Sequence, residues 1–195
     1  MNHFLTIVLI ISAYLIGSIP SGILIAMASR GIDPRQAGSG NIGATNVLRV
    51  VGKKAAAITL LADILKGLVP IGIAFLFRIE QPFILLIGGA AILGHLFPLF
   101  LNFQGGKGVA VSLGVFLGIA PKIAFIALVI WLIGFWGGRY SSTGALAAFG
   151  ALPFLALLIR PEPAFVFFST LLSILVYFRH WDNIRRLLHG DEKQA

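Results

Sequence analysis

The sequence predicts an all-α integral membrane protein of seven transmembrane helices, with its N-terminus outside and its C-terminus in the cytoplasm. Hydrophobic residues make up 58% of the 195 and charged residues only 11%, whereas a soluble domain carries roughly a quarter charged residues. The mean hydropathy is +0.97. We expect one polytopic domain, 1–195, whose apolar segments cover 4–28, 55–77, 83–101, 109–120, 121–136, 145–159 and 164–178.

The distribution of basic residues sets the predicted orientation. The first apolar segment lacks a positively charged start and a clear cleavage site, so we expect a retained span rather than a signal peptide. With the N-terminus outside, Arg78, Lys122 and Arg160 lie outside and Lys66 lies within a span. The remaining basic residues then face the cytoplasm, where such residues concentrate: Arg30, Arg35, Arg49, Lys53, Lys54, Lys107, Arg139, Arg179, Arg185, Arg186 and Lys193.

The longest polar stretch contains a run that we call the asparagine loop, GSGNIGATNVLR at 38–49. Its glycines, hydroxyls, amides and arginine form a loop dense in hydrogen-bond donors, and a helix starting near 44–46 would add free N–H groups for an anion. A plain connecting loop is the alternative, although it would not need so many of these residues. The candidates here are Ser39, Asn41, Thr45, Asn46 and Arg49.

A second motif, the glycine–lysine loop, reads NFQGGKG at 102–108. Glycines allow a sharp turn that brings backbone N–H groups close to a ligand, and the lysine adds a mobile positive charge. This chemistry suits a phosphate, but a tight turn between helices is the competing interpretation. The apolar segment that follows is too short to cross a bilayer alone, so we expect part of the loop to be buried in protein. The candidates are Gly105, Gly106, Lys107 and Gly108.

Asp63, Lys66 and His95 lie well inside apolar segments. Asp63 and Lys66 are three residues apart and so share one side of a helix. A structural ion pair and a role in the active site are both open for them, because charges inside a bilayer usually face protein or water. His95 has no evident second metal ligand nearby, so a hydrogen-bonded packing role is the default and a site role the alternative.

Two further polar stretches carry candidate residues. The small loop at 137–144 contains Ser141 and Ser142, whose hydroxyls can bind an oxyanion. The C-terminal tail has apolar residues spaced as on one helix face, which predicts a helix lying in the membrane interface. It carries His180 and Asn183, three apart on that predicted helix. Under the predicted orientation all four polar stretches meet at the cytoplasmic surface, which favours an anion site.

Several functional classes are excluded or disfavoured. The chain has no cysteine, so disulfides, thiolate catalysis and cysteine-bound metal are excluded. Basic residues form no continuous stripe for nucleic acid. The glycine–lysine loop lacks the hydroxyl residue and the earlier glycine of a nucleotide-binding loop. A transporter of a phosphorylated compound is the alternative, although no repeat relates the two halves and the polar residues favour one side.

The motifs together carry a family resemblance. GSGNIGATNVLR at 38–49, GHLFPLFLNFQGGKGVA at 94–110 and RHWDNIRRLLHGDE at 179–192 resemble the three cytoplasmic motifs of the bacterial acyl-phosphate:glycerol-3-phosphate acyltransferases, the PlsY family. GKKAAAITLLADILKG at 52–67 is also similar to that family, and Val111 departs from it where a small hydroxyl residue is more usual. The resemblance implies transfer of an acyl group from acyl phosphate to the 1-hydroxyl of glycerol 3-phosphate, giving lysophosphatidic acid and phosphate.

The resemblance also implies roles for the candidates. Arg49, Lys107 and the backbone at 105–108 would hold phosphate with Ser141 and Ser142, and Ser39, Asn41 and Asn46 would orient the acceptor or the acyl carbonyl. His180 and Asn183 would position the attacking hydroxyl, with His180 a candidate general base. Thr45, Lys66 and His95 are secondary candidates. We expect direct attack without an acyl-enzyme, no cofactor or metal, and a monomer in the bacterial inner membrane with its site at the cytoplasmic face.

Overall fold

The computed structural model describes residues 3–194, which fold into helices and connecting turns without a β-strand. Every apolar segment predicted above forms a helix, and most ends agree within a few residues. A short 3-10 turn, Leu99–Leu101, follows the fifth helix. Within residues 3–194 the α-helices are α1 His3–Ser18, α2 Ser21–Arg30, α3 Ala44–Val50, α4 Lys53–Leu76, α5 Gln81–Leu96, α6 Val109–Ile119, α7 Pro121–Gly138, α8 Ser141–Ile159, α9 Pro163–Arg179 and α10 Trp181–His189.

In the part of the chain that the structure describes, five helical segments are long and apolar enough to cross a membrane. They are α1 with α2, α4, α5 with the 3-10 turn, α7 and α8. Helices α9 and α10 qualify only as a pair, and they are bent by 57° at the residue between them, whereas α6 is a shorter apolar helix of 11 residues. The structure therefore has the form of a multi-pass membrane protein with five or six candidate spans, compared with the seven expected from hydropathy.

The first predicted span is broken in the middle. Helix α1 ends at Ser18 and α2 begins at Ser21, because Pro20 has no N–H to continue the helical ladder. Glycines bring α1 and α5 into close contact just before the break. A Cβ on Gly17 would lie 2.1 Å from the Ala91 carbonyl oxygen, and one on Gly94 would lie 2.2 Å from that of Tyr14. Such backbone approach is typical of helix pairs in membranes.

The chain divides into two compact units, one ending at Ile119 and the other beginning at Ala120. In the first unit α1 packs on α5, and α4 packs on α6 through Gly67 and Gly114, where a Cβ would meet backbone of the facing helix. In the second unit α8 packs on both α7 and α9. The Tyr177 hydroxyl of α9 donates to the Leu146 carbonyl of α8 at 2.9 Å. Each unit therefore carries its own candidate residues on a packed helical scaffold.

The close contact between α1 and α5 gives a direct test of this packing. We expect Gly17→Ala to destabilise the protein by about 1–3 kcal/mol, since the new methyl group forces two backbones apart. The matched control is Gly72→Ala in α4, where no neighbouring atom lies within 4 Å. Thermal unfolding midpoints in detergent would be compared. Equal midpoints for the two variants would contradict the packing.

Candidate active site

The asparagine loop is held by the side chain of Asn46. This residue is 1% exposed, and its Nδ2 donates to the carbonyls of Pro34, Ala37 and Asn41 at 2.8–3.1 Å. Its Oδ1 accepts from the backbone N–H of Ser39 at 2.8 Å. These contacts show that Asn46 shapes the loop, and the substrate contact expected of it from the sequence stays a prediction.

The rest of the loop is fixed by local turns and by contact with α2. Asn41 Oδ1 accepts from the Gly43 N–H at 2.8 Å, and α3 then begins at Ala44 as predicted. A Cβ on Gly22 would lie 1.8 Å from the Ile42 carbonyl oxygen, so the loop lies directly on α2. Because α3 has only seven residues, its dipole adds little, and anion binding here depends on side chains and loop N–H groups.

The functional side chains of this loop remain accessible. Ser39 is exposed, and Thr45 and Arg49 are partly exposed on α3. Just before the loop, Arg35 forms a bidentate ion pair with Asp33, with a shortest N···O distance of 2.6 Å. Hydrogen bonds from the Arg35 side chain and backbone hold the pKa of Asp33 below its ordinary value. Arg35 is thus paired with Asp33.

The glycine–lysine loop folds back against the end of α5. The Gly106 N–H donates to the His95 carbonyl at 3.1 Å. Gly106 and Gly108 are buried, and Gly108 has a φ of +83°, which favours glycine. Lys107 between them is partly exposed, and α6 starts at Val109. The expectation that part of this loop is buried in protein is therefore confirmed.

A buried polar cluster lies directly behind this loop. Asp63 and Lys66 form an ion pair with 2.8 Å between Oδ1 and Nζ, and both are almost fully buried. Ser21 Oγ donates to the same Asp63 oxygen at 2.5 Å. Lys66 Nζ also lies 3.3 Å from His95 Nδ1. The structure thus joins two of the secondary candidates, Lys66 and His95, in one network. The sequence showed only that Asp63 and Lys66 are three residues apart.

In the second unit the candidate residues converge on a carboxylate that sequence analysis did not single out. Glu192 accepts hydrogen bonds from Ser142 Oγ at 3.0 Å, Asn183 Nδ2 at 2.6 Å and Arg186 Nε at 2.7 Å. Its side chain is 7% exposed. Burial alone would raise the pKa of Glu192, but the hydrogen bonds from Arg186, Asn183 and Ser142 outweigh it and lower that pKa. Gly190 ends α10 in a left-handed conformation. The sequence signal for this contact was an acidic residue, Glu192, two positions after that glycine.

His180 lies at the junction of α9 and α10 and is 3% exposed. It precedes α10 rather than sharing a helix with Asn183, because α10 begins at Trp181. Its Nδ1 lies 2.8 Å from the Val176 carbonyl oxygen. A carbonyl can only accept, so Nδ1 carries the proton and Nε2 is the ring nitrogen that can take one. This is the tautomer that a general base needs.

The hydroxyl stretch is also more ordered than predicted. Helix α7 continues to Gly138, so only Arg139 and Tyr140 link it to α8. Ser141 and Ser142 occupy the first turn of α8 rather than a loop. Ser142 is buried and bound to Glu192, while Ser141 is partly exposed. Ser141 is therefore the hydroxyl of this pair that is better placed for a ligand.

Comparison with known proteins identifies the family. A sequence model described as glycerol-3-phosphate acyltransferase matches residues 7–190. The chain belongs to the glycerol-3-phosphate acyltransferase family. Among curated family members, the glycerol-3-phosphate acyltransferase of Geotalea daltonii is 47% identical over 95% of this chain and 95% of its own length. The one from Thioalkalivibrio sulfidiphilus is 48% identical over 94% of this chain and 91% of its own.

Solved structures agree with this assignment. Two crystal structures of PlsY (YgiH), described as an integral membrane glycerol 3-phosphate acyltransferase, are 38% identical to this chain and cover 97% of it. One is the glycerol 3-phosphate form, with a TM-score of 0.92, and the other the lysophosphatidic acid form, with a TM-score of 0.89. The matched regions cover 95% and 94% of the chains in those two structures. The all-helical membrane fold and the class of enzyme, an acyltransferase acting on glycerol 3-phosphate, are thereby established.

The Glu192 cluster predicts a pH-dependent contribution to stability. Because the folded-state pKa lies below the ordinary value of 4.5, this contribution is present above that pH and is lost as the pH falls through the lowered value. We expect Glu192→Gln to lose about 1–3 kcal/mol near neutral pH and to show a weaker acid dependence than the parent. Thermal midpoints in detergent between about pH 7 and about pH 3 would measure both. Exposed Asp191→Asn is the control, and identical pH profiles for parent and Glu192→Gln would contradict the assignment.

Proposed function

We propose that the acyl donor of this acyltransferase is an acyl phosphate, so that the products are lysophosphatidic acid and inorganic phosphate. The observation that carries the proposal is the glycine–lysine loop, whose buried glycines present partly exposed Lys107 beside apolar helices. Such a loop suits a small phosphate attached to a lipid chain. The resemblance of three motifs to the acyl-phosphate-dependent family supports the same donor.

The proposed reaction is a direct displacement at the acyl carbon. The 1-hydroxyl of glycerol 3-phosphate attacks the acyl carbonyl, a C–O bond to its oxygen forms, and the C–O bond to phosphate breaks. Lys107 and Arg49 would neutralise the phosphate charges, with Ser141 and loop N–H groups adding hydrogen bonds. Ser39 and Asn41 would orient the acceptor or the carbonyl. Acyl phosphate is a mixed anhydride with a good leaving group, so positioning and charge neutralisation supply most of the acceleration.

The attacking hydroxyl loses its proton in this step. His180 Nε2 can take it, because Nδ1 is committed to the Val176 carbonyl. The departing phosphate is an alternative acceptor for the same proton, so the base need not be essential. Asn183 and Ser142, both bound to Glu192, would hold the surroundings of His180 in place. No acyl-enzyme is required by this scheme.

We further propose that the chain forms one catalytic domain in the bacterial inner membrane, with seven spans and its site at the cytoplasmic face. One family model extends over both compact units. In this arrangement the short helix α6 is a partial span that follows the glycine–lysine loop, and α9 is a full span. Helix α10 would lie in the interface, since Trp181 and Leu188 on it are exposed to 58% and 81%.

The donor is tested by turnover of the purified protein in detergent with glycerol 3-phosphate and palmitoyl phosphate, acyl-CoA or acyl carrier protein thioesters. We expect lysophosphatidic acid from palmitoyl phosphate alone. Lys107→Ala should lower kcat/KM by about 100-fold or more, since it removes a charge from the phosphate. Lys122→Ala, at the exposed start of α7, is the matched control and should keep full activity. Product from a thioester, or none from palmitoyl phosphate, would contradict the proposal.

The role of His180 is tested by His180→Ala in the same assay. If His180 is the base, kcat should fall by about 100-fold or more with little change in KM. A kcat within about tenfold of the parent would instead indicate that the phosphate takes the proton. The thermal midpoint of the variant controls for loss of folding, because His180 is buried.

The orientation is tested by single cysteines, which the chain allows because it has none of its own. Lys54, near the start of α4, and Glu80, just before α5, are exposed residues separated by the length of α4. We expect Glu80→Cys to react with a membrane-impermeant maleimide in intact spheroplasts, and Lys54→Cys to react only after permeabilisation. The reverse pattern would contradict a cytoplasmic site.

A further inference from the structure

The cluster of Ser21, Asp63, Lys66 and His95, which we call the Lys66 cluster, has no role in the reaction scheme above. Asp63, Lys66 and His95 are 2%, 7% and 5% exposed. Burying an ion pair among apolar helices is costly, and an apolar replacement of similar volume is often no less stable. A buried charged cluster therefore calls for an explanation other than stability.

The ammonium group of Lys66 has a full set of partners. Its Nζ lies 2.8 Å from Asp63 Oδ1, 2.9 Å from the Ile19 carbonyl oxygen and 3.3 Å from His95 Nδ1. Three N–H bonds thus meet three acceptors on α4, at the break between α1 and α2, and on α5. The geometry fits a charged lysine, which can only donate.

This arrangement fixes the tautomer of His95. Since Lys66 donates, His95 Nδ1 must accept and can carry no proton. The distance of 3.8 Å from His95 Nδ1 to Asp63 Oδ1 is too long for a hydrogen bond that would favour a protonated Nδ1. With Lys66 charged, these contacts favour the His95 tautomer that carries its proton on Nε2.

The other side of His95 contacts the glycine–lysine loop. The Gly106 N–H donates to the His95 carbonyl at 3.1 Å. A Cβ on Gly106 would lie 2.2 Å from His95 Nε2, and one on Gly105 would lie 2.2 Å from the His95 carbonyl oxygen. Ring and backbone of His95 therefore form the surface on which the residues preceding Lys107 rest, with Nε2–H facing the loop.

We propose that the Lys66 cluster is a positioning device for the phosphate loop: Asp63 and Lys66 hold His95 as the Nε2–H tautomer, and His95 sets the position of the residues around Lys107. The proposal rests on the function proposed above, because it assigns the loop to a phosphate. Asp63 and Lys66 act through His95 and do not touch substrate. The device explains why charges are kept in an apolar interior, since an aliphatic cluster would not orient an imidazole.

Two replacements of His95 separate positioning from mere packing. In His95→Gln the amide nitrogen takes the place of Nε2 and keeps a donor facing the loop. In His95→Asn the amide oxygen takes the place of Nδ1 and keeps only the acceptor for Lys66. We expect KM for at least one of the two phosphate substrates to rise about tenfold in His95→Asn and to stay within about threefold of the parent in His95→Gln. Thermal midpoints of the two variants should be similar.

Equal KM values in these two variants, or a larger rise in His95→Gln, would overturn the proposal. The double variant Asp63→Asn/Lys66→Met removes the ion pair without leaving one buried charge alone. In this variant His95 is unchanged but its tautomer is no longer fixed. We therefore expect the KM that rises in His95→Asn to rise about tenfold here as well. An unchanged KM in the folded double variant would equally overturn the device.

The tautomer itself is measured in the unmodified protein by nitrogen NMR of 15N-histidine. The chain has four histidines, and the signals of His3, His180 and His189 are assigned by replacing each with Gln. His95 should show a protonated Nε2 and an unprotonated Nδ1. A protonated Nδ1 would overturn the proposal. This test does not depend on the donor, so failure of the parent to use palmitoyl phosphate would refute the proposed function while leaving the tautomer test intact.

Discussion

A polar group buried among apolar helices has to find its partner within the protein, and this constraint governs how the candidate residues are held. The glycine–lysine loop meets the constraint by pairing its backbone with that of His95. The asparagine loop meets it through one side chain, Asn46, which takes up three carbonyls and one N–H. Glu192 does the same for Ser142, Asn183 and Arg186 in the second unit. Buried hydrogen bonds thus hold the two loops in place, and they tie helices α8 and α10 to the segment that carries Glu192.

This order has a chemical consequence. Catalysis by positioning requires donors and charges that do not have to reorganise when the substrate arrives. The proposed phosphate partners, Lys107 and Arg49, are each partly exposed but adjoin segments that are fixed by buried contacts. Each cationic side chain thus extends from a segment that buried contacts hold in place. The glycines around Lys107 serve the same end, since they let the loop lie directly on His95.

Local patterns were sufficient to predict much of the fold. Runs of apolar residues indicated the helices, and the short run after the glycine–lysine loop correctly indicated a helix too short to span a membrane alone. The start of α3 at Ala44 followed from the preceding glycine-rich turn. What escaped were contacts between distant residues. Lys66 meets a residue 29 positions away in His95, and Ser142 meets Glu192 50 positions away.

The surroundings of individual residues escaped the sequence for the same reason. Asn46 was predicted to orient a substrate group, and the structure shows that its amide also holds three carbonyls brought together by the loop. His180 was expected to share a helix with Asn183, but the chain bends by 57° at that point. Composition indicates that a residue is available for chemistry, whereas its role depends on which partners the fold supplies.

The central claim is that two substrates react directly, held by positioned charges, without a covalent intermediate on the protein. A single-turnover experiment with excess enzyme and palmitoyl phosphate labelled in its acyl chain tests this most directly. Without glycerol 3-phosphate we predict no acyl label on the protein, and with it we predict that the label appears in lysophosphatidic acid as phosphate is released. Phosphate release without acceptor, together with acyl label bound covalently to the chain, would contradict the account.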